Sequence, residues 1–174
     1  MLENPSYTIK TCQMKKLVKV VAFGSSGSGK TTLIRHIDPS KRNIESRKGL
    51  ATTVAFDLGI VNRGAYKMHV YGTPGNERFK VAMKVVSVGM NFGLIVVDAT
   101  RSMTPFEKSM LNELRAMKIP HIVVANKMDV PGATVDNLRD DVGISTPILP
   151  VSGITGIGTE ELIELIVSMV ERCN

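Results

Sequence analysis

Apolar residues in this chain gather in short runs separated by stretches with helical spacing. Runs fall at 17–23, 53–61, 65–71, 92–98, 120–125 and 147–151. Several, such as Leu94-Ile95-Val96-Val97, are unbroken, as expected for strands covered on both faces. Between them the apolar positions recur at helical intervals near 30–37, 78–88, 104–117 and 159–172, with a short helix at 134–142. Asn62-Arg63-Gly64 is a turn signal that makes the second and third strands an antiparallel hairpin. Elsewhere strands and helices alternate, which implies parallel strands with crossover helices on both faces. The expected fold is α/β: a mostly parallel six-stranded sheet with one antiparallel strand and helices on both faces. Residues 1–16 read as a polar extension, in which Tyr7-Thr8-Ile9 could add a short strand, and 17–174 as one domain. No internal repeat or low-complexity linker interrupts it.

The first strand runs into Gly24-Ser25-Ser26-Gly27-Ser28-Gly29-Lys30-Thr31, a full match to G-x-x-x-x-G-K-[ST], and Thr32 continues into the first helix. Glycines at these positions let backbone N–H groups turn inward around a phosphate at a helix N-terminus. Lys30 then reaches the β- and γ-phosphate oxygens, and the Thr31 hydroxyl ligates Mg²⁺. Strand, loop and helix in this order point to a P-loop NTPase rather than to a flexible Gly/Ser linker. About 100 residues later, at the carboxyl end of another strand, stands Asn126-Lys127-Met128-Asp129. The carboxyl end of a strand is where open α/β sheets bind ligands. There Asp129 can accept from guanine N1–H and the 2-amino group, Lys127 can lie along the base, and Asn126 can tie this loop to the phosphate loop. Adenine has no matching donors, and a site built to bond a ligand's N–H can reject such an analogue by roughly 10⁴-fold.

With these motifs in this order, residues 17–172 resemble the small Ras-like GTPases. Val151-Ser152-Gly153 resembles the family's S-A-K loop, whose backbone N–H contacts guanine O6, with Gly153 for Ala and Ile154 for Lys. Thr53 in Thr53-Val54-Ala55-Phe56 resembles the first-switch threonine, which closes on Mg²⁺ and the γ-phosphate; Thr52 is its adjacent rival. Gly72-Thr73-Pro74-Gly75-Asn76-Glu77-Arg78-Phe79 resembles the second switch, D-x-x-G-Q-E-R-F. The combination T-T-V-A-F-D-x-G with G-T-P-G is similar to MglA-like small GTPases. The resemblance implies GTP and GDP as ligands and Mg²⁺ as companion ion. Its nucleotide-binding set is Gly24, Gly27, Ser28, Gly29, Lys30, Thr31, Thr32, Thr53, Gly75, Asn126, Lys127, Asp129, Ser152 and Gly153. It makes Thr31 and Thr53 the metal ligands, Asn76, Lys30 and Thr53 the catalytic set, and suggests a roadblock-type protein partner.

Two positions depart from that pattern. Gly72 stands where relatives have an Asp holding a metal-bound water, and Asn76 where they have the water-orienting Gln. Asn offers the same amide on a stem shorter by about 1.5 Å. Phosphoryl transfer is catalysed chiefly by positioning and electrostatics, so slow unaided hydrolysis follows, with binding intact. Arg42, Arg47 and Arg78 are in-chain candidates for the missing positive charge. Asp57 and Asp98 are read as ordinary strand-end residues, with a place near the metal as the alternative.

Composition narrows the alternatives. The 174 residues suit a single domain, and 43% hydrophobic with 22% charged content is ordinary for a globular protein. No apolar run reaches the roughly 18 residues of a membrane span, and the two cysteines, Cys12 and Cys173, make no disulfide framework. A cytoplasmic location is therefore expected. The net charge of +6 is uneven: residues 1–87 carry 15 basic and 5 acidic side chains, residues 88–174 carry 7 and 11. Lys41-Arg42 and Arg47-Lys48 could meet an acidic partner or a membrane surface, or simply be solvated. No aromatics interleave with them, so nucleic-acid binding is not expected. His36, His69 and His121 are isolated, and Met83, Met90, Met103, Met110 and Met117 read as core filler. No Cys/His cluster supports a metallochaperone, and a P-loop kinase would not need Asn126-Lys127-Met128-Asp129. The reading is a GTP/GDP switch that hydrolyses GTP slowly with help from an activating protein; the alternative is a GTP-dependent interaction module that does not hydrolyse.

Overall fold

In the computed structural model, residues 15–40, 42–46, 54–75 and 80–172 are described. The elements run β1 (Lys16–Phe23), α1 (Lys30–Ile37), β2 (Arg42–Ser46), β3 (Val54–Arg63), β4 (Tyr66–Gly72), α2 (Lys80–Ser87), β5 (Phe92–Asp98), α3 (Pro105–Ala116), β6 (His121–Asn126), α4 (Asp136–Val142), β7 (Ile148–Pro150) and α5 (Thr159–Arg172). The strands form one sheet in the order β2-β3-β4-β1-β5-β6-β7. Among the described strands β3 alone runs against its neighbours, pairing antiparallel with both β2 and β4; the remaining pairs are parallel.

The fold class matches expectation; among the described residues the sheet has seven strands where six were expected. The added strand, β2, is an edge strand of sequence Arg-Asn-Ile-Glu-Ser. With a single neighbour to pair with, an edge strand needs no apolar alternation, so the period that reveals the others is missing. The hairpin turn is also displaced. It is the two-residue Gly64–Ala65 connection between paired Arg63 and Tyr66, with Gly64 at φ +53°.

Each sheet face carries its own core. Leu33 and Ile34 of α1 with Leu162, Ile163, Ile166 and Val170 of α5 pack on Val18, Val20, Met68, Val70, Leu94, Val96 and Val124. On the other face, Val86 of α2, Phe106, Met110, Leu111 and Leu114 of α3 and Leu138 of α4 cover Val21, Phe23, Ile95, Val97 and Val123. Val20, Phe92, Ile95 and Val96 are fully excluded from solvent. Met90, Met103 and Met110 are core residues as expected, whereas Met117 is 54% exposed. The strand ends of β1, β5 and β6 thus open on one edge between two rigid helical layers, and there the motifs meet.

Candidate functional site

The loop after β1 turns through three glycines in left-handed conformations that L-residues rarely adopt: Gly24 at φ +150°, Gly27 at +78° and Gly29 at +92°. Gly29 is also the N-cap of α1 and supplies no side chain, so the helix starts with free N–H groups facing the loop. Lys30 lies under this ring, only 7% exposed. Its ammonium donates to Gly24 O at 2.7 Å, Ser25 O at 2.9 Å and Ser28 Oγ at 3.4 Å. Burial pulls its pKa down to about 8, against the partial support of Glu107 and Asp57. The loop therefore holds a cation in surroundings of carbonyls and hydroxyls, a site poised for an anion.

The loop is pressed against residues 73–75. Ser26 N–H donates to Gly75 O at 3.0 Å, and a Cβ on Gly75 would lie 2.3 Å from Ser26 N, so only glycine fits that crossing. Thr73 is anchored to β1, its N–H and hydroxyl both donating to Ala22 O at 3.0 Å. Thr31 and Thr32 are exposed at the start of α1. Ser26, Gly27, Gly29, Lys30, Thr31, Thr32, Asp57, Gly72, Thr73, Pro74, Gly75 and Lys127 line one open cleft of about 460 Å³.

Asn126 joins three loops. Its Nδ2 donates to Ser28 O at 2.9 Å, and its Oδ1 accepts from Gly153 N–H at 3.0 Å. A Cβ on Gly29 would meet Nδ2 at 2.2 Å, so the phosphate loop needs glycine there for this contact as well as for its backbone. Lys127 has φ +69°, rare for a side-chain-bearing residue; this sets its Nζ 2.6 Å from Asp98 Oδ2. Burial alone would raise the Asp98 pKa, but hydrogen bonds from Lys127 and Thr100 outweigh it and hold it at about 2. Asp98 is thus engaged with the base-side loop. Asp129 is exposed, with Oδ1 held by the buried Ser152 hydroxyl at 2.5 Å. Ser152 also accepts from Thr155 N–H at 3.1 Å, which makes a small scaffold behind the carboxylate.

Sequence reading missed the contact between α3 and the phosphate loop. Glu107 is fully buried, and its Oε1 accepts from Ser25 N–H at 3.1 Å. Arg101 forks onto both its oxygens at 3.0 Å, and Thr104 N–H adds a bond at 2.8 Å. Ser25 and Thr104 share a hydroxyl–hydroxyl bond of 2.8 Å. Burial pushes the Glu107 pKa up, and the bonds from Arg101, Thr104 and Ser25 bring it below the ordinary value. The visible signal was the capping box Thr104-Pro105-Phe106-Glu107 with proline at the first helical position; the capping glutamate also fixes the phosphate loop. Removing Arg101, whose side chain is 35% exposed, strips two donors from a buried carboxylate. Arg101→Ala is expected to cost on the order of 3 kcal/mol, about 6–12 °C in melting temperature for a domain of this size. A calorimetric scan checks it; an unchanged melting point refutes the assignment.

Thr53, its rival Thr52, Asn76, Arg47 and Arg78 lie outside the described residues, as do Cys12, Cys173 and Tyr7-Thr8-Ile9. Arg42 falls in β2, without a described side chain.

Residues 43–172 match the family described as the elongation factor Tu GTP binding domain. The chain belongs to that family. An uncharacterized protein of Methanocaldococcus jannaschii is 38% identical over 116 residues, 67% of this chain and 73% of that protein. The GTPase Era of Rickettsia bellii is 25% identical over 169 residues, 91% of this chain and 57% of Era. Among solved structures, the elongation factor SelB of Methanococcus maripaludis, in complex with the GTP analogue GppNHp, is similar in fold at a TM-score of 0.71. It is 23% identical, over 90% of this chain and 34% of SelB. This GTP-binding domain therefore spans little more than half of Era and about a third of SelB. It is a P-loop GTPase domain, with GTP or GDP and Mg²⁺ as its ligands.

The residues present fit these ligands. Gly27 faces open space, since a Cβ there would meet nothing within 4 Å, which leaves room for a phosphate oxygen at that point of the loop. Buried Lys30 could supply the countercharge, and Thr31 stands at the cleft with its hydroxyl bonded to the Asp57 carboxylate. Among the described residues no group of three or more His, Cys, Asp or Glu could hold a metal by itself. Mg²⁺ takes one or two protein ligands together with substrate phosphates and waters, and the Thr31 hydroxyl at the cleft could be one of them.

Proposed function

We propose that this domain is a GTP/GDP switch that hydrolyses GTP slowly and relies on a protein partner for speed. The observation that carries the reading is the Asn126 junction, which joins the phosphate loop, the base-side loop and the 152–153 loop through two hydrogen bonds. Phosphates and base are thereby held by one connected frame. In this reading the N–H groups around Gly27 and Gly29 and the Lys30 ammonium receive the phosphates, and Asp129 accepts from the guanine edge. Thr31 and Thr53 would hold the metal, which when bound would supply positive charge against that developing on the phosphate oxygens. Thr53 and the Gly75 N–H close on the γ-phosphate and open once it leaves. Asn76 orients water with a shortened reach.

The finer kinship rests on the combination T-T-V-A-F-D-x-G with G-T-P-G, which supports an MglA-like domain and a roadblock-type partner. Residues 1–16 are then an extension preceding the G domain. No described helix is long and apolar enough to cross a membrane.

Unaided turnover is expected on the order of 10⁻³ s⁻¹ or below, as for switch GTPases without a supplied arginine. Single-turnover hydrolysis by purified chain, with and without extract of the source cells, checks this. Acceleration by orders of magnitude supports a supplied partner. Fast turnover by the pure chain that survives replacement of Arg42, Arg47 and Arg78 refutes it, and no turnover under either condition favours the non-hydrolysing module.

A further inference from the structure

We propose that Asp57 is the carboxylate of the Mg²⁺ site, moved across the sheet from β4 to β3. In P-loop NTPases the metal is held by the phosphate-loop Ser/Thr together with an aspartate. Here Thr31 is present and Gly72 ends β4 with no side chain to offer. Asp57 and Gly72 are directly paired residues of β3 and β4. A Cβ built on Gly72 would lie 3.1 Å from Asp57 Cβ, 3.4 Å from Asp57 Oδ2 and 2.8 Å from Ile34 Cδ1. The Asp57 side chain thus occupies the space an aspartate at position 72 would need. It reaches the hydroxyl that such a residue would serve, since Thr31 Oγ1 donates to Asp57 Oδ2.

The chemistry follows from that bond. By accepting the hydrogen bond of the Thr31 hydroxyl, Asp57 leaves that oxygen's lone pairs for a cation and adds a negative charge beside the phosphate cleft that both residues line. One carboxylate plus one hydroxyl, completed by phosphate oxygens and water, suits a small octahedral cation. The geometry also explains the glycine. With Asp57 in place, an aspartate at 72 would crowd its Cβ and set two like charges in one volume, so the pair holds one carboxylate between them. The rival, Asp98, is taken up by Lys127 and Thr100.

This inference rests on the nucleotide-switch reading, and its test separates the two. The measured quantity is the ratio of fluorescent GDP release rates in chelator and in millimolar Mg²⁺, which is insensitive to a general loss of affinity. Release by the unmodified chain should be at least tenfold faster in chelator. Asp57→Asn should collapse that ratio toward one, because losing a group that orients a metal ligand costs about 10–100-fold in metal affinity. The exchanged double variant Asp57→Gly with Gly72→Asp should recover most of the ratio, and Gly72→Asp alone should not improve it. Failure of the unmodified chain to bind GDP overturns the switch reading itself. Normal binding with a full Mg²⁺ effect retained in Asp57→Asn overturns only this inference. Circular dichroism confirms that each variant folds; if the exchanged pair does not, Asp57→Asn decides the matter alone.

Discussion

Lys30→Met is expected to weaken nucleotide binding severely while making the empty domain more stable. Both effects have one cause. The ammonium is 7% exposed, and burial lowers its pKa from 10.5 to about 8, so at neutral pH the empty fold carries a cation it would rather release. That shift corresponds to roughly 3 kcal/mol of destabilisation as an upper bound. Because the folded pKa is the lower one, the penalty is fully present below pH 8. It is relieved as pH rises from about 8 to 10.5. A polyphosphate supplies the missing countercharge, so truncating Lys30 should cost about 2–5 kcal/mol of binding, some 30- to 4,000-fold. GDP affinity of the unmodified domain should also fall as pH rises above about 8, because binding must then restore a proton to Lys30. Calorimetric titration at pH 7, 8 and 9, with thermal melts of both proteins, checks all three effects. A Met variant that keeps GDP affinity, or melts lower than its parent, would mean the ammonium is structural.

Legibility in the sequence followed how local each determinant is. The phosphate loop could be read because its glycines, Lys30 and Thr31 work within eight consecutive residues whose backbone chemistry needs no partner. Buried strands could be read from unbroken apolar runs; β2 could not, since Arg42–Ser46 offers only Ile44 as an apolar residue. The Glu107–Ser25 contact bridges 82 residues. The capping box was visible, but nothing local says that its glutamate faces the phosphate loop rather than solvent.

Asp57 is the instructive case. A turn at 62–64 would set residue 61 opposite 65 and place Asp57 across from His69. The observed turn at Gly64–Ala65 pairs it with Gly72 instead. The two registers differ by an odd number of residues, which moves every partner to the opposite face. A turn misplaced by a residue or two left Asp57 as an ordinary strand residue with the metal only as the alternative, because its pairing with Gly72 was out of view.

Asp129→Asn is expected to exchange guanine for xanthine preference. Asp129 is exposed in the loop that follows β6, and its Oδ1 is steadied by Ser152 at 2.5 Å. An oriented carboxylate offers two acceptors to the two donors of the guanine edge, N1–H and the 2-amino group. The amide of Asn offers one acceptor and one donor. It therefore confronts a guanine donor with a donor but matches xanthine, which presents N1–H beside a C2 carbonyl. Leaving polar groups of a recognition edge unpaired can cost a factor of about 10⁴; solvent access to this edge sets the expected loss of GDP affinity nearer 10²–10³-fold, with a gain for XDP of similar size. Ser152→Ala keeps the carboxylate but removes its support, so it should weaken GDP binding by about fivefold, roughly one neutral hydrogen bond, without admitting XDP. Competition titrations against a fluorescent guanine nucleotide resolve the cases. Equal affinity of the unmodified domain for GDP and ADP, or an Asp129→Asn variant that still prefers GDP to XDP, would show that the base is read by other groups.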